Sequence, residues 1–234
     1  MQRRPVPGAA ACAPDSRRGE IDGSGSTRRL RIDTRISGHA PFVFTHLPPS
    51  AAWIQHQART GFEVTYFRDG DRGVLVEGCA TGTEDGAVWV IDYRLRLDGS
   101  WHTRSAQITG RYPDGRRTLT VQSDGLGRWQ VDGATAPELD GCLDVDLEAS
   151  VFTNSLPVRR LALDIGDSAD APAVYIRAAD LKTVRLPQHY RRATDGDDGP
   201  RYDYTSSDFD YRATLSYDDA GLIVDYPGLA RRTV

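Results

Sequence analysis

From residue 62 to residue 133, apolar and polar positions alternate with period two, and turns bearing Gly or Asp interrupt the alternation at short intervals. Period two sends successive side chains to opposite faces of an extended chain, so the pattern predicts half-buried β-strands. The predicted strands are FEVTYF (62–67), VLVEG (74–78), AVWVIDYRLRLD (87–98), HTRSAQITGRY (102–112), RTLTVQS (117–123) and RWQVDG (128–133). RDGDRG, TGTEDG, DGS, PDG and DGLG join them, supplying Gly or Asp where a tight hairpin needs positive φ or an Asp-stabilised turn. The alternation returns in AVYIRA (173–178), LKTVRL (181–186), YDYTS (202–206), YRATLSYDD (211–219) and LIVDYP (222–227), with ATDGDDGP (193–200) as an exposed loop. The whole reads as a meander of antiparallel strands.

One segment breaks the period. In VFTNSLPVRRLALDIG (151–166), Thr153, Asn154 and Ser155 offer N-caps, and Pro157 falls in a first helical turn, where Pro is tolerated. Val158, Leu161 and Ile165 share one helical face, Leu156 and Leu163 form a second apolar patch, and Gly166 can end the helix. The prediction is a single helix over about 153–165. Its apolar residues cover most of the circumference, so it should be buried within an otherwise all-β chain.

The strand leading into this helix carries Asp144 and Asp146, two apart and therefore on one face. Facing a core they need partners, because an unpaired buried charge is very costly. Arg159 and Arg160 on the helix offer planar forks that suit carboxylates. The simplest structure has the strand acids clamping both arginines. A catalytic carboxylate pair, a hard-cation site short of oxygen ligands and a polar head-group site are the alternatives.

The blocks DGLGRW (124–129), LDGCLDVDLEASVFTNSLPVRRL (139–161), LPQHY (186–190) and GLIVDYPGLARR (221–232) resemble the glycolipid-binding family, and the similarity spans roughly residues 48–232. The resemblance implies a spiral β-roll, a long curled antiparallel sheet wrapped around one helix, similar to bacterial lipoprotein-localisation carriers. It also implies a fold able to form a homodimer and a role in binding glycolipid or another amphiphile. It supplies no catalytic residues. Where the family has a small residue and Pro or Thr before the T-N run, this chain has Ala149-Ser150-Val151, which leaves the cap and helix undisturbed.

Composition narrows the classes. The 234 residues suit one large domain, here 39–234, preceded by an Arg/Gly/Ser/Pro-rich tail over 1–38 that is expected to be disordered. Within that tail RRLRIDTRI (28–36) alternates weakly, as an edge strand would. A net charge of -4 gives no basic footprint for nucleic acid. Cys12, Cys79 and Cys142 show no CxxC spacing and read as reduced thiols of a cytoplasmic protein. No apolar run reaches the ~18 residues of a membrane span. The N-terminal MQRRPVPGAAACAP mimics a signal around Cys12, but Pro5, Pro7 and Gly8 interrupt it. Histidines 39, 46, 56, 102 and 189 lack zinc spacing, and no GxSxG, P-loop or other cofactor motif is present. No metal, cofactor or catalytic residue is therefore expected.

The expected polar mouth of a ligand groove between sheet and helix comprises Arg104, Asp144, Asp146, Arg159, Arg160, Gln188 and Tyr190. Arg104 enters through WHTRS, beside His102 and Trp101, and Gln188 and Tyr190 through LPQHY. Tyr202, Tyr204 and Tyr211 suit sugar stacking or a plain sheet surface, and Tyr226 reads as a strand end. The first function expected is a soluble, non-catalytic binding module. A homodimeric interaction domain and a carboxylate-dependent enzyme acting on a sugar or ester are the alternatives.

Overall fold

The computed structural model describes residues 44–70, 73–84 and 86–234. The expected tail, the RRLRIDTRI segment and Cys12 lie outside these residues.

The first meander consists of β1 (Ser50–Gln55), β2 (Thr60–Gly70), β3 (Gly73–Glu84), β4 (Ala87–Leu97), β5 (Thr103–Tyr112), β6 (Gly115–Ser123), β7 (Trp129–Val131) and β8 (Ala134–Thr135). A connecting region follows, with β9 (Asp144–Leu147), α1 (Ser155–Leu161), β10 (Ser168–Asp170), β11 (Ala173–Ile176) and β12 (Thr183–Leu186). The second meander is β13 (His189–Gly196), β14 (Gly199–Ser206), β15 (Tyr211–Tyr217), β16 (Ile223–Tyr226) and β17 (Ala230–Arg232).

Both meanders belong to one 14-stranded sheet in the order β10-β13-β14-β15-β16-β17-β1-β2-β3-β4-β5-β6-β7-β8. The pairing of β17 with β1, Trp53 opposite Arg232 and Gln55 opposite Ala230, joins the end of the chain to its first strand. The sheet is open, with β10 and β8 at its two edges.

Several sequence expectations change. β3 runs on to Glu84, beyond the predicted 74–78, because its ladder to β2 and β4 continues through Thr83. The expected loop at 193–200 is mostly strand: β13 and β14 close as a hairpin at Gly196 opposite Gly199, with a register shift after Ala193. Nor is every pairing antiparallel. β9 pairs parallel with β11 in a separate three-stranded sheet. Parallel neighbours need a crossover, and the chain between them contains α1.

The helix is shorter than 153–165. A 3₁₀ turn at Phe152–Asn154 leads into α1 at Ser155–Leu161. Ala162 ends it by taking the left-handed conformation, φ 42° and ψ 49°, while its N–H bonds the Val158 carbonyl. Gly166 is therefore not the terminator, and Ile165, expected on the buried face, is 59% exposed. Ser155, Leu156, Pro157 and Val158 are buried.

No side chain at Asn154 caps this helix. The anchor comes from the sheet. On β2, Glu63, Thr65 and Phe67 are buried. The Glu63 carboxylate is fully buried and receives four donors: Tyr93 Oη at 2.6 Å and Ser150 Oγ at 2.5 Å on Oε1, and the Val151 and Phe152 N–H groups at 2.6 and 3.4 Å on Oε2. Burial pushes its pKa up, and those hydrogen bonds pull it back. Tyr93 reaches the site by lying across Gly78 of β3, where an added Cβ would fall 2.2 Å from its Cζ. Its hydroxyl also meets Thr65 Oγ1 at 2.6 Å, and the Phe67 ring packs on Phe152 with centroids 5.2 Å apart.

The second meander grips the same segment. Tyr217 Oη donates to the Asn154 carbonyl at 3.2 Å, and the Ile223 N–H donates to Ser155 Oγ at 3.3 Å. From β1, Gln55 Nε2 donates to the Ala149 carbonyl at 2.8 Å.

Glu63→Ala would strand buried donors and open a cavity, so it should lower stability by about 4 kcal/mol. Glu63→Gln keeps an acceptor oxygen and should cost less than half as much. Urea denaturation at constant m-value measures both.

Candidate functional site

A cleft of about 370 Å³ opens between residues 146–154 and the second meander. That volume falls in the ~300–1,000 Å³ range of small-molecule sites. One wall is aromatic: Tyr175 of β11, Tyr204 of β14, Phe209 in the β14–β15 turn, Tyr211 of β15 and Tyr226 of β16. Tyr204 is centred 6.1 Å from Tyr211 and 6.3 Å from Tyr226, which are 6.0 Å from each other. Tyr175 meets Phe209 edge-on at 5.3 Å. The alternation of β14 explains Tyr204: Tyr202, Tyr204 and Ser206 are all buried on its inner face.

Much of the remaining lining is polar. Asp146 is 8% exposed; its Oδ2 accepts from Gln188 Nε2 at 2.5 Å and its Oδ1 from Thr153 Oγ1 at 3.4 Å. Burial raises its pKa to about 6, and the Gln188 and Thr153 hydrogen bonds limit the rise. Glu148 Oε2 accepts from the Ala178 N–H at 2.7 Å, and its Oε1 lies 3.7 Å from Arg59 Nη2. Arg59 Nη1 also donates to the Glu148 carbonyl at 2.6 Å. Gln55 is 4% exposed and lines the cleft; its Oε1 has no hydrogen-bond partner among the described residues.

The structure distributes the expected site residues over five places. Asp146 lines the cleft, and Gln188 stands behind it, joining Asp146 to the Tyr204 hydroxyl at 3.1 Å. Tyr190 is fully buried, and its hydroxyl donates to Asn154 Oδ1 at 3.2 Å. Asp144 and Arg160 form a buried bidentate pair, with Nη2 to Oδ2 at 2.6 Å and Nε 3.1 Å from both oxygens. Burial raises the Asp144 pKa and Arg160 lowers it.

Arg159 does not join the strand acids. Successive helical residues point about 100° apart, so Arg159 turns away, donates to the Ala220 carbonyl and stacks 4.1 Å over the Trp101 ring. Burial pulls its pKa down to about 10. Arg104 lies apart from all of these, 3.5 Å from Asp98 and against Gly125 of the DGLG turn. The envisaged catalytic pair is also divided, because Asp144 is sealed by Arg160 and does not line the cleft.

Sequence reading missed Gln55, Arg59, Glu148, Tyr175 and Phe209, and took Tyr226 for a strand end. Glu148 had a signal, since it continues the i, i+2 series of Asp144 and Asp146. Gln55 and Arg59 had none. Among the described residues, no group of three or more His, Cys, Asp or Glu side chains is placed to hold a metal ion.

Comparison with known proteins places this architecture. A family model described as "Putative glycolipid-binding" matches residues 50–232. The chain belongs to this family. A crystal structure of a DUF1089 family protein from Pseudomonas aeruginosa is similar, with 36% sequence identity and a TM-score of 0.63, covering 73% of this chain and 92% of that one. The comparison with curated proteins gave no match. Among the described residues of this family member, no helix is long and apolar enough to cross a membrane.

The raised pKa of Asp146 carries a sign. An unfolded Asp titrates near 3.9 and the folded one near 6, so the folded state holds more protons between these values. The stability contribution is full below about pH 4 and is lost as pH rises through about 6. Asp146→Asn should remove that slope and be more stable than wild type at pH 7, by on the order of 2–3 kcal/mol at most. Denaturation from pH 4 to 7 for both proteins checks it.

Proposed function

We propose that this protein is a non-catalytic binding module that holds the sugar head of a glycolipid in the cleft. The observation that carries the reading is the cleft's mixed lining: tilted aromatic rings and buried hydrogen-bond acceptors border one space of about 370 Å³. A sugar has apolar C–H faces for the rings and hydroxyls for Asp146 and Gln55. The family description supports the lipid part of this reading. Acyl methylenes would add affinity at about 0.8 kcal/mol each where they are buried. The reading includes a sheet curled into a roll about residues 150–161, supported by that segment's bonds to both meanders.

One observation favours a second reading. Asp146 is a carboxyl group pushed toward neutrality on a cleft, as a general acid needs. Glu148 would then have to supply the base. Release of octanol from octyl glycosides, whose leaving group needs protonation, abolished in Asp146→Asn, would establish an enzyme.

Binding is tested by titrating octyl β-glucoside below micelle formation. The rim residue Phe209 is 53% exposed, so Phe209→Ala should leave the Tm nearly unchanged. Loss of one stacking contact worth about 1 kcal/mol predicts roughly fivefold weaker binding. Equal affinity of the variant and wild type would remove the cleft from the binding account.

A further inference from the structure

We propose that the cleft selects a cationic head group, an amino sugar or another sugar-borne ammonium, over neutral or anionic sugars. This deepens the glycolipid reading and rests on it.

The first ground is the balance of charge. Two carboxylates, Asp146 and Glu148, line the cleft against one guanidinium, Arg59. Arg59 is already engaged by the Glu148 carboxylate and carbonyl and lies 5.7 Å over the Trp89 ring. It is not displayed as a receptor for phosphate or carboxylate. An anionic head would meet acceptors on this wall.

The second ground is an acceptor awaiting a donor. The carbonyl of Ala149 must receive an N–H, which fixes the nitrogen end of the Gln55 amide. The other end, Oε1, is buried in the cleft lining without a partner. Each Asp146 oxygen accepts one hydrogen bond from the protein, and a carboxylate oxygen can accept a second. Hydroxyls can donate to these atoms, but an ammonium donates more and also gains charge-assisted strength.

The third ground is the ring geometry. Tyr204, Tyr211 and Tyr226 pack on one another, inclined by 51° to 72° with centroids 6.0 to 6.3 Å apart, as an aromatic cluster in the cleft lining. An ammonium seated over the outer face of one of these rings would be attracted through the ring quadrupole.

The test is isothermal titration calorimetry with four octyl glycosides below micelle formation: β-glucosaminide, its N-acetyl form, β-glucoside and β-glucuronide. Acetylation removes the charge and keeps the sugar. The glucosaminide should bind at least about tenfold tighter than the N-acetyl form or the glucoside, with the glucuronide weakest. Asp146→Asn should narrow the first ratio to less than about threefold. Equal or tighter binding of the glucoside or glucuronide overturns the selectivity and leaves the sugar-binding function standing. Absence of heat from all four, with no shift of the cleft tyrosine resonances, overturns the function and the selectivity together.

Discussion

A carboxylate taken out of water must be surrounded by donors, and much of this fold follows from how Glu63 meets that demand. Leaving such a charge unmet costs several kcal/mol. Its donors come from β4 through Tyr93 and from the turn entering the helix through Ser150, Val151 and Phe152. A seven-residue helix without a side-chain cap does not stand alone in water. Here Glu63, from a neighbouring strand, holds the first N–H groups of the 3₁₀ turn that leads into the helix, which pins the helix entry to the first meander. Tyr217 and Ile223 then tie the same entry to the second meander.

The cleft depends on this arrangement. Ser150 and Val151, which hold Glu63, also line the cleft, as does Asn154 at the end of the 3₁₀ turn. Thr153 from the same turn donates to Asp146. The backbone that satisfies the buried charge is thus the backbone that forms the polar wall. The aromatic residues come from β14, β15 and β16, which the β17–β1 pairing ties to the first meander, and from β11, which pairs with β9. Fold anchor and candidate site are two faces of one segment.

Much of this was legible in the sequence. Period-two alternation located most of the long strands, and Gly- and Asp-bearing turns located most of their connections. Thr153-Asn154-Ser155 and Pro157 marked the helix entry. Its end was not legible, because Ala162 adopts a left-handed conformation that ordinarily costs a non-Gly residue about 1–2 kcal/mol. Of the expected acid–arginine clamp, only Asp144–Arg160 forms; Arg159, about 100° round the helix, meets the Ala220 carbonyl and the Trp101 ring instead. Glu63 was hidden for another reason. In FEVTYF the apolar-looking set Phe62 and Tyr66 is solvent-facing, at 42% and 56% exposure, and the set with Glu63 and Thr65 is the buried one. Gln55, Arg59, Tyr175 and Phe209 come from distant segments whose meeting depends on sheet order, which no local pattern encodes.

The most direct test of the central claim is native-state hydrogen exchange at the Val151 and Phe152 amides, the two that donate to Glu63. If the buried carboxylate anchors the segment, these amides exchange only when the whole domain unfolds, with an opening free energy equal to that of the core strands. Exchange through a local opening several kcal/mol cheaper, while β2 and β4 stay protected, would show that the helix entry and the cleft wall are held by something other than Glu63.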